Sequence, residues 1–290
     1  MTTNLLIGGS GYIGSALAPA LAAKGVAVIS LAKDAVTAVP GVETVVCDLG
    51  RQPCPPEVIG RADNIFILIG QIGPDFNKTE ELATLARLAE SLKSAKAKIF
   101  YFSSALVYGD TKQPADETAP VAPIDDYARY KLEAEAVLTK LIPAERLVVF
   151  RLSNIYGARK NRGIIGLVMN ELVNEKPSIN LNGDGHQQRD FLYRDDLVGA
   201  ILAVAAKPAA SGVVNLSTGR SYSLIEVVEL IAKISGRPIA YHVTHRQLNE
   251  VKSNLVDNHQ LQRVYGFNKF TTFEDGLTAT LAAYLSKGSA

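Results

Sequence analysis

The first third of the chain alternates short apolar runs with helical stripes. Asn4 to Ile7 predicts a strand, and Leu17 and Leu21 then repeat at helical spacing. Val26 to Leu31 predicts a second strand. Asn64 to Ile69 is a continuous apolar run, as expected of a central parallel strand covered on both faces. This pattern predicts an α/β fold with a doubly wound parallel sheet.

The same alternation continues for about half of the chain and becomes irregular after Gly157. We therefore expect a first domain over residues 1–157, joined by about 190–220, and a smaller α/β domain over 158–290. Asp195 and Asp196 are predicted to cap the helix that follows them. Further strands are predicted at Thr44 to Cys47, Lys98 to Ser103, Leu147 to Phe150 and Val213 to Leu216, and helices at Thr79 to Ala95, Asp126 to Leu141, Ile164 to Asn174, Leu197 to Ala206, Ser223 to Gly236 and Phe273 to Leu285.

Composition limits the partners that such a chain can have. With 290 residues and 47% hydrophobic content, it can bury a large core. The net charge of +1 gives no electrostatic case for nucleic acid or an anionic membrane as the main partner. No uninterrupted apolar segment approaches the roughly 20 residues of a membrane span. We expect a small-molecule ligand.

Cysteine and histidine positions give no sign of metal or redox chemistry. Cys47 and Cys54 are the only cysteines and lack a paired spacing, so a reducing cytoplasm is expected. The four histidines are scattered, and no metal is assigned. The apolar N-terminus has no Lys or Arg before it and is interrupted by glycines, unlike a secretion signal.

A glycine-rich turn joins the first strand to the first helix. Gly8, Gly11 and Gly14 suit a tight turn, a backbone that approaches a pyrophosphate, and close helix-sheet packing. The N-terminus of the helix adds unpaired N–H groups and a positive dipole end. A bare strand-helix turn is the alternative. The residues expected to bind a dinucleotide here are Gly8, Ser10, Gly11, Tyr12, Ile13 and Gly14.

The ends of the second and third strands bear on the choice of cofactor. Ala32 stands where an acidic residue would hold the adenine ribose of NAD, and Lys33 could meet the extra phosphate of NADP. NADP is therefore favoured over NAD, although Lys33 could be a solvated surface residue and Asp34 could reach the ribose. Asp48, followed by Leu49, could bond the adenine amine or cap a turn.

The helix that opens at Asp126 carries Tyr127 and Lys131 four residues apart, which places them on one face. A free phenol titrates near 10 and is a poor base at neutral pH unless a cation stabilises its phenolate. Lys131 is one turn away and can provide that charge. Ser103 and Ser104 end a central strand, where ligands lie in open α/β sheets. The alternative for the Tyr and Lys pair is two surface residues on a helix.

These motifs in order resemble the extended short-chain dehydrogenase/reductases, and within them the NAD-dependent epimerase/dehydratase branch typified by UDP-galactose 4-epimerase. The resemblance runs from Leu5 to about Leu277. It is carried by Gly8, Gly11 and Gly14; Asp48-Leu49; Ser103-Ser104 before Val107-Tyr108-Gly109; Tyr127 and Lys131; Arg151, Asn154 and Gly157; Gly183-Asp184-Gly185; Arg189-Asp190-Phe191; and Asn215.

The resemblance implies a Rossmann domain that binds NAD or NADP, with a nucleotide diphosphate sugar in the cleft beside the smaller domain. Tyr127 would be the acid/base, Lys131 its electrostatic partner, and both would contact the cofactor. Ser104 would hydrogen-bond the reacting oxygen. The family also implies a homodimer joined through the helices at Thr79 to Ala95 and Tyr127 to Leu141.

Three further residues follow from the resemblance. Asn154, Arg189 and Arg246 would hold the diphosphate and the nucleotide. Guanidinium groups suit a diphosphate because they form bidentate contacts that Lys cannot form.

The chain departs from the family pattern at several positions. Ala105 and Leu106 stand where dehydratases carry an Asp-Glu pair, which argues against a 4,6-dehydratase, and Leu106 gives no acid for 3,5-epimerisation. Gly163-Ile164 replaces an Asn that touches the sugar nucleotide in many members. Ile7 replaces the usual Thr before the glycines.

The predicted function is hydride transfer at C4 of a nucleotide sugar, as a 4-epimerase or a 4-keto reductase. Two alternatives stay open. One is an oxidoreductase whose substrate has no nucleotide, for which Arg189 and Arg246 would form structural salt bridges. The other is a dinucleotide-sensing protein with a silent active site.

Overall fold

A computed structural model describes residues 1–70, 76–159, 161, 163–244 and 251–286. The strands are β1 (Thr3–Ile7), β2 (Ala27–Ala32), β3 (Val42–Val46), β4 (Asn64–Ile67), β5 (Lys98–Ser104), β6 (Leu147–Leu152), β7 (Asn154–Tyr156), β8 (Ser178–Leu181), β9 (Gln188–Tyr193), β10 (Gly212–Leu216), β11 (Ser221–Ser223), β12 (Ala240–Val243) and β13 (Ser253–Asn254). The helices are α1 (Gly14–Ala22), α2 (Pro56–Arg61), α3 (Lys78–Leu92), α4 (Asp126–Leu141), α5 (Ile164–Glu171), α6 (Arg194–Ala205), α7 (Leu224–Ser235), α8 (His259–Arg263) and α9 (Phe273–Leu285).

A seven-stranded sheet has the order β10-β6-β5-β4-β1-β2-β3. The neighbouring pairs among β1 to β5 are all parallel. The chain runs outward from β1 to β3 and then crosses to β4 on the other side of β1, so the winding direction switches between β1 and β4. Ligands of open α/β sheets bind at such a switch point, beyond the carboxyl ends of the strands. The predicted doubly wound α/β fold is confirmed.

Aromatic stacking fixes the centre of this sheet. The rings of Phe66 and Phe100 stack with centroids 4.7 Å apart, and Phe100 and Phe150 stack at 5.7 Å. All three rings are almost completely buried. Burying a Phe side chain contributes about 1.5–3 kcal/mol, so this stack holds β4, β5 and β6 in a rigid order. The ends of β4 and β5 carry residues of the site.

The chain forms two compact units. The first unit is Met1–Val107, Asp126–Arg151 and Val204–Val214, and the second is Tyr108–Asp125, Leu152–Ala203 and Asn215–Ala290. The domain boundary at residue 157 stays a prediction, because compact units and functional domains need not coincide. The second unit contains a small sheet in which β9 pairs with β11, β13 and β7. It also contains the parallel pair of β8 and β12.

Capping residues and apolar stripes in the sequence predicted the ends of several helices correctly. The predicted bounds of α4 and α9 agree with the structure. Ser223 caps α7 through a capping box, and Gly236 ends it with φ of 66°. The prediction for Asp195 and Asp196 was wrong, because both lie inside the first turn of α6. The Asp196 carboxylate instead accepts hydrogen bonds from the backbone N–H and the hydroxyl of Thr271.

Within the described ranges, no helix has the length and apolar character needed to cross a bilayer. The same residues contain no group of three or more His, Cys, Asp or Glu side chains that could hold a metal ion. Cys47 and Cys54 are both buried free thiols. Burial raises the pKa of the Cys54 thiol to about 12, so this thiol stays protonated at neutral pH.

Candidate active site

The glycine turn after β1 has three positions at which the fold itself requires glycine. Gly8 has φ of 87°, a conformation that L side chains rarely adopt. A Cβ at Gly14 would lie 2.4 Å from the carbonyl oxygen of Gly9, so α1 can pack this closely only with glycine there. Gly9 itself was missed by sequence reasoning, although a Cβ there would lie 2.3 Å from Ser30 Oγ on β2.

Gly11 differs from these three glycines. It is exposed, and the nearest atom to a Cβ at this position is the Gly8 carbonyl oxygen at 3.2 Å. Packing therefore does not require glycine as strictly at this position. Close approach of a ligand to the Gly11 backbone would require it, because a Cβ would stand in the way. Ser10 is exposed, and Tyr12 and Ile13 are half-buried just before α1 begins at Gly14. The turn thus presents open backbone at the N-terminus of a helix.

Lys33 and Arg51 lie on either side of Asp48. The Lys33 Nζ and Arg51 Nε atoms are each 3.6 Å from the Asp48 Oδ2 atom. The Oδ1 atom of Asp48 accepts the N–H of Gly50 at 2.9 Å, so this carboxylate does cap a turn. Both cations are largely exposed and can meet a solvent-borne anion. Leu49 is partly buried against the core of the first unit.

Helix α4 carries Tyr127 half-buried and Lys131 fully buried on the same face. The Lys131 ammonium donates to the Phe102 carbonyl oxygen at 2.9 Å, which ties the helix to β5. The same nitrogen lies 5.7 Å from the centre of the Tyr127 ring. The two residues are therefore not solvated surface groups, because the ammonium is held inside the first unit beside the phenol.

Burial lowers the pKa of Lys131 to about 8, while the nearby carboxylates of Glu81 and Glu135 act in the opposite direction. At neutral pH the side chain is therefore mostly charged. A buried ammonium of this kind acts strongly on neighbouring groups because little water screens it.

Ser104 is the last residue of β5, and only 7% of its surface is exposed. Its oxygen accepts the N–H of Leu106 at 3.2 Å. A serine hydroxyl has one proton to donate and two acceptor positions, so the contact with Leu106 leaves the proton able to bond a ligand oxygen. Ser104 follows Phe102 by two residues, which places it on the same strand end as the carbonyl that holds Lys131.

A buried ion pair beneath α4 was missed by sequence reasoning. The Glu135 carboxylate accepts two hydrogen bonds from Arg151, at 2.8 and 3.2 Å, and one from the Ser103 hydroxyl. The side chains of Glu135 and Arg151 are 9% and 7% exposed. This network joins α4 to the ends of β5 and β6. Glu135 follows Lys131 by one helical turn, and that spacing was the available signal.

The residues around the Lys131 ammonium were also missed. A Cβ at Gly70 would lie 2.5 Å from the Lys131 Nζ, so the backbone after β4 packs directly on the ammonium. Tyr101 of β5 and Tyr130 of α4 both lie beside it, with ring centres 5.1 and 5.4 Å from the nitrogen.

The second unit contains a cavity of about 170 Å³ in which Asn154 and Arg189 come together. Asn154 donates its side-chain amide to the Asp190 carbonyl oxygen at 3.0 Å, which fixes its orientation. Gly163 and Ile164, the departure from the family pattern, also line the cavity. The lining residues are Asn154, Ile155, Tyr156, Asn161, Gly163, Ile164, Ile165, Arg189, Phe191 and Leu224. Arg246 lies outside the described residues.

Asp190 anchors the strand that carries Arg189. Its carboxylate is fully buried and accepts the backbone N–H groups of Thr218 and Arg220 at 3.1 Å and the Thr218 hydroxyl at 2.8 Å. Burial raises the pKa of Asp190, and these hydrogen bonds oppose that rise. These contacts hold β9 in place and so fix the backbone of Arg189 beside the cavity.

The model of the NAD dependent epimerase/dehydratase family matches residues 4–217 of the chain. An uncharacterized UDP-glucose epimerase of Bacillus subtilis is 30% identical over 210 residues, which cover 71% of this chain and 66% of that protein, just under two thirds of its length. A UDP-glucose 4-epimerase of Streptomyces lividans is 29% identical over 269 residues, covering 81% of this chain and 82% of that one.

Among solved structures, MoeE5 in complex with UDP-glucuronic acid and NAD superposes with a TM-score of 0.88. It is 25% identical in sequence, and the match covers 97% of this chain and 98% of that one. The match agrees with the predicted Rossmann-type sheet and with the predicted family of nucleotide-sugar enzymes. The chain belongs to the NAD-dependent epimerase/dehydratase family of enzymes.

Proposed function

We propose that this enzyme transfers hydride at C4 of a nucleotide diphosphate sugar and epimerises that carbon. The observation that carries the proposal is the buried Lys131 ammonium beside the Tyr127 ring, in the same unit as the open glycine turn. The relatives named as UDP-glucose 4-epimerases and the UDP-glucuronic acid and NAD complex of MoeE5 support it.

The residues of the first unit fit a nicotinamide dinucleotide. The exposed backbone at Gly11 and the N-terminus of α1 suit its pyrophosphate. Lys131 can donate to the nicotinamide ribose, and Asp48 lies where the adenosine half is expected. When bound, the dinucleotide accepts or supplies the hydride that C4 loses or gains.

Three side chains of the first unit handle the proton of the C4 hydroxyl in this proposal. Tyr127 takes the C4 hydroxyl proton when the carbon is oxidised and returns it when the carbon is reduced. The Lys131 ammonium favours the phenolate of Tyr127 and so makes it a usable base near neutral pH. Ser104 donates its hydroxyl proton to the same sugar oxygen and fixes its distance from Tyr127.

The second unit has its own cavity, which we propose binds a nucleotide diphosphate group. Arg189 lines the cavity, and its Nη1 donates to the Gln188 carbonyl oxygen at 3.0 Å. A guanidinium has five N–H donors and can also bind phosphate oxygens. Asn154 is oriented by Asp190 and presents its remaining amide atoms to the ligand. Arg246 is assigned to the same nucleotide by the family resemblance alone.

A second candidate is a 4-keto reductase that uses NADP. Two exposed cations, Lys33 after β2 and Arg51 after β3, lie beside Asp48, and the buried Ala32 cannot bond a ribose hydroxyl. This arrangement favours a 2′-phosphate. A reductase transfers hydride once and consumes NADPH, whereas an epimerase keeps its NAD through both half-reactions.

We also propose a cytoplasmic homodimer. The free thiols of Cys47 and Cys54 suit a reducing compartment. The family resemblance places the dimer contact at α3 and α4. Ala83 and Ala136 are exposed on these helices, and such small residues let helices of two copies approach closely. Sedimentation of the purified protein tests the dimer.

The test of function begins with the dinucleotide that co-purifies with the protein, identified by mass spectrometry. Retained NAD supports the epimerase and counts against the reductase. The protein is then incubated with UDP-, GDP- and dTDP-sugars, and the products are separated to detect the C4 epimer. Failure of every nucleotide sugar to react, with and without added NAD or NADPH, would contradict the proposal.

A further inference from the structure

Three tyrosine rings surround the Lys131 ammonium. Its nitrogen lies 5.1 Å from the ring centre of Tyr101, 5.4 Å from that of Tyr130 and 5.7 Å from that of Tyr127. Aromatic rings attract a cation at such distances. The proposed reaction uses Tyr127 and gives no role to the other two tyrosines.

The ammonium has three N–H donors, and β5 engages two of them. One donates to the Phe102 carbonyl oxygen at 2.9 Å, and another approaches the Tyr101 hydroxyl at 3.5 Å. The Gly70 backbone blocks a further side, because even a Cβ there would lie 2.5 Å from the nitrogen. The ammonium is thus held by β5 and covered by the Gly70 backbone, and its third N–H donor can serve Tyr127 or a ribose.

Tyr101 and Tyr130 are neutral supports. Burial raises the pKa of both phenols well above that of free tyrosine, so neither ionises in competition with Tyr127. The Tyr130 phenol interacts with that of Tyr101. Its ring also packs edge-on against Phe76, with centroids 5.1 Å apart. Tyr130 is therefore fixed and can orient the Tyr101 hydroxyl toward Lys131.

We propose that Tyr101 is a positioning residue for the proton transfer, which keeps the Lys131 ammonium charged and directed at Tyr127, and that Tyr130 orients Tyr101 for this task. The inference rests on the proposed function. Without the Tyr101 hydroxyl the ammonium would lose a polar contact in a buried place, where the charged form is most costly. Lys131 would then lose its proton at a lower pH.

Other charged groups also face Lys131 and stay in place when Tyr101 is changed. Glu81 of α3 and Glu135 of α4 both favour the ammonium, and Arg151 of β6 partly neutralises Glu135. A variant that removes only the Tyr101 hydroxyl therefore isolates its effect from theirs. Tyr101→Phe is that variant, and Tyr130→Phe tests the orienting role in the same way.

The first measurement is the pH dependence of kcat/KM for the wild type, Y101F and Y130F, with the nucleotide sugar that the wild type turns over. Tyr265→Phe is the matched control, because it removes another buried phenol hydroxyl in the second unit. In Y101F we expect kcat to fall about tenfold and the alkaline limb to move down by roughly one pH unit, as for a lost hydrogen bond to a charged group. Y130F should show a smaller shift in the same direction, and Y265F none.

The second measurement does not need turnover. Titration of the Lys131 side chain by NMR of the isotope-labelled holoprotein should give a lower pKa in Y101F than in the wild type. An unchanged lysine titration and an unchanged pH profile in Y101F would overturn the inference. Absence of hydride transfer in the wild type would instead contradict the proposed function, while the lysine titration would still decide the role of Tyr101.

Discussion

The ammonium nitrogen of Lys131 lies 5.7 Å from the ring centre of Tyr127, one turn away on α4. The helix fixes this spacing, and the bond from Lys131 to the Phe102 carbonyl oxygen fixes the helix against β5. In the proposed reaction the Tyr127 phenol loses and regains a proton, and the Lys131 ammonium beside it is held in place.

Tyr127→Phe removes the proton-transfer group and keeps the ring. We expect kcat to fall by about 10²–10⁴-fold, the usual range for loss of general acid-base catalysis. Dinucleotide affinity should change little, because the ring and Lys131 remain. Steady-state kinetics and a cofactor titration check both expectations. Wild-type activity in Y127F would defeat the catalytic assignment, and an inactive wild type that still binds dinucleotide would favour a sensing protein.

The charge on Lys131 predicts the pH profile of the wild type. Burial lowers its pKa to about 8, so the ammonium is present below that pH and lost above it. In the proposed reaction the ammonium stabilises the Tyr127 phenolate, so kcat/KM should decline as pH rises through about 8. A profile that stays flat through the alkaline range would show that the charge of Lys131 is not required.

Gly11→Ala and Gly14→Ala separate ligand binding from folding. A Cβ at Gly14 would meet the Gly9 carbonyl oxygen at 2.4 Å, so G14A should lower the free energy of unfolding by about 1–3 kcal/mol. A Cβ at Gly11 has more room, and G11A should cost little stability while weakening dinucleotide binding severalfold. Denaturant unfolding and cofactor titration measure the two effects. Equal cofactor affinity in G11A and the wild type would exclude the pyrophosphate from this turn.

Glu135→Gln breaks the buried pair with Arg151. Removing one partner of such a pair leaves a buried charge uncompensated and costs about 3–5 kcal/mol. Glu43→Gln is the control. Its ion pair with Arg61 is exposed, so breaking it should lower the free energy of unfolding far less. Urea unfolding of both variants gives the comparison. If E135Q and E43Q lose a similarly small free energy of unfolding, the Glu135 network does not hold α4 in place.

Arg189→Lys tests the nucleotide cavity. Lysine keeps the charge and loses the bidentate geometry, so affinity for a nucleoside diphosphate should fall about tenfold. Isothermal titration calorimetry with UDP, GDP and dTDP checks this value, and Arg61→Lys on the surface is the matched control. If none of the three binds the wild type, the substrate without a nucleotide becomes the better hypothesis.

Much of the fold follows from short-range sequence signals. Residues 126–141 and 273–285 were placed correctly because stripes and caps lie within the helix itself. The strand at 42–46 was predicted two residues late, because its residues are half-buried or exposed and lack a clear period. The pairing of β7, β11 and β13 with β9 had no local signal, since it joins segments far apart in sequence.

The site was predictable only in part. Tyr127 and Lys131 share a helix, and their four-residue spacing was visible. Tyr101 on β5 and Gly70 after β4 are distant from Lys131 in the chain, and only the fold brings them together. Asn154 and Arg189 could be paired through the family resemblance, and the structure places both at one cavity.

The central claim is that hydride leaves and returns to C4 with Tyr127 moving the proton. The most direct test uses a nucleotide sugar that carries deuterium at C4, incubated with the wild type and its bound dinucleotide. We expect a primary isotope effect and deuterium that is transferred to the nicotinamide and then kept at C4 of the product. For a reductase, a deuterated nicotinamide should deliver its label to C4. Exchange of the C4 deuterium with water, or turnover without an isotope effect, would contradict the account.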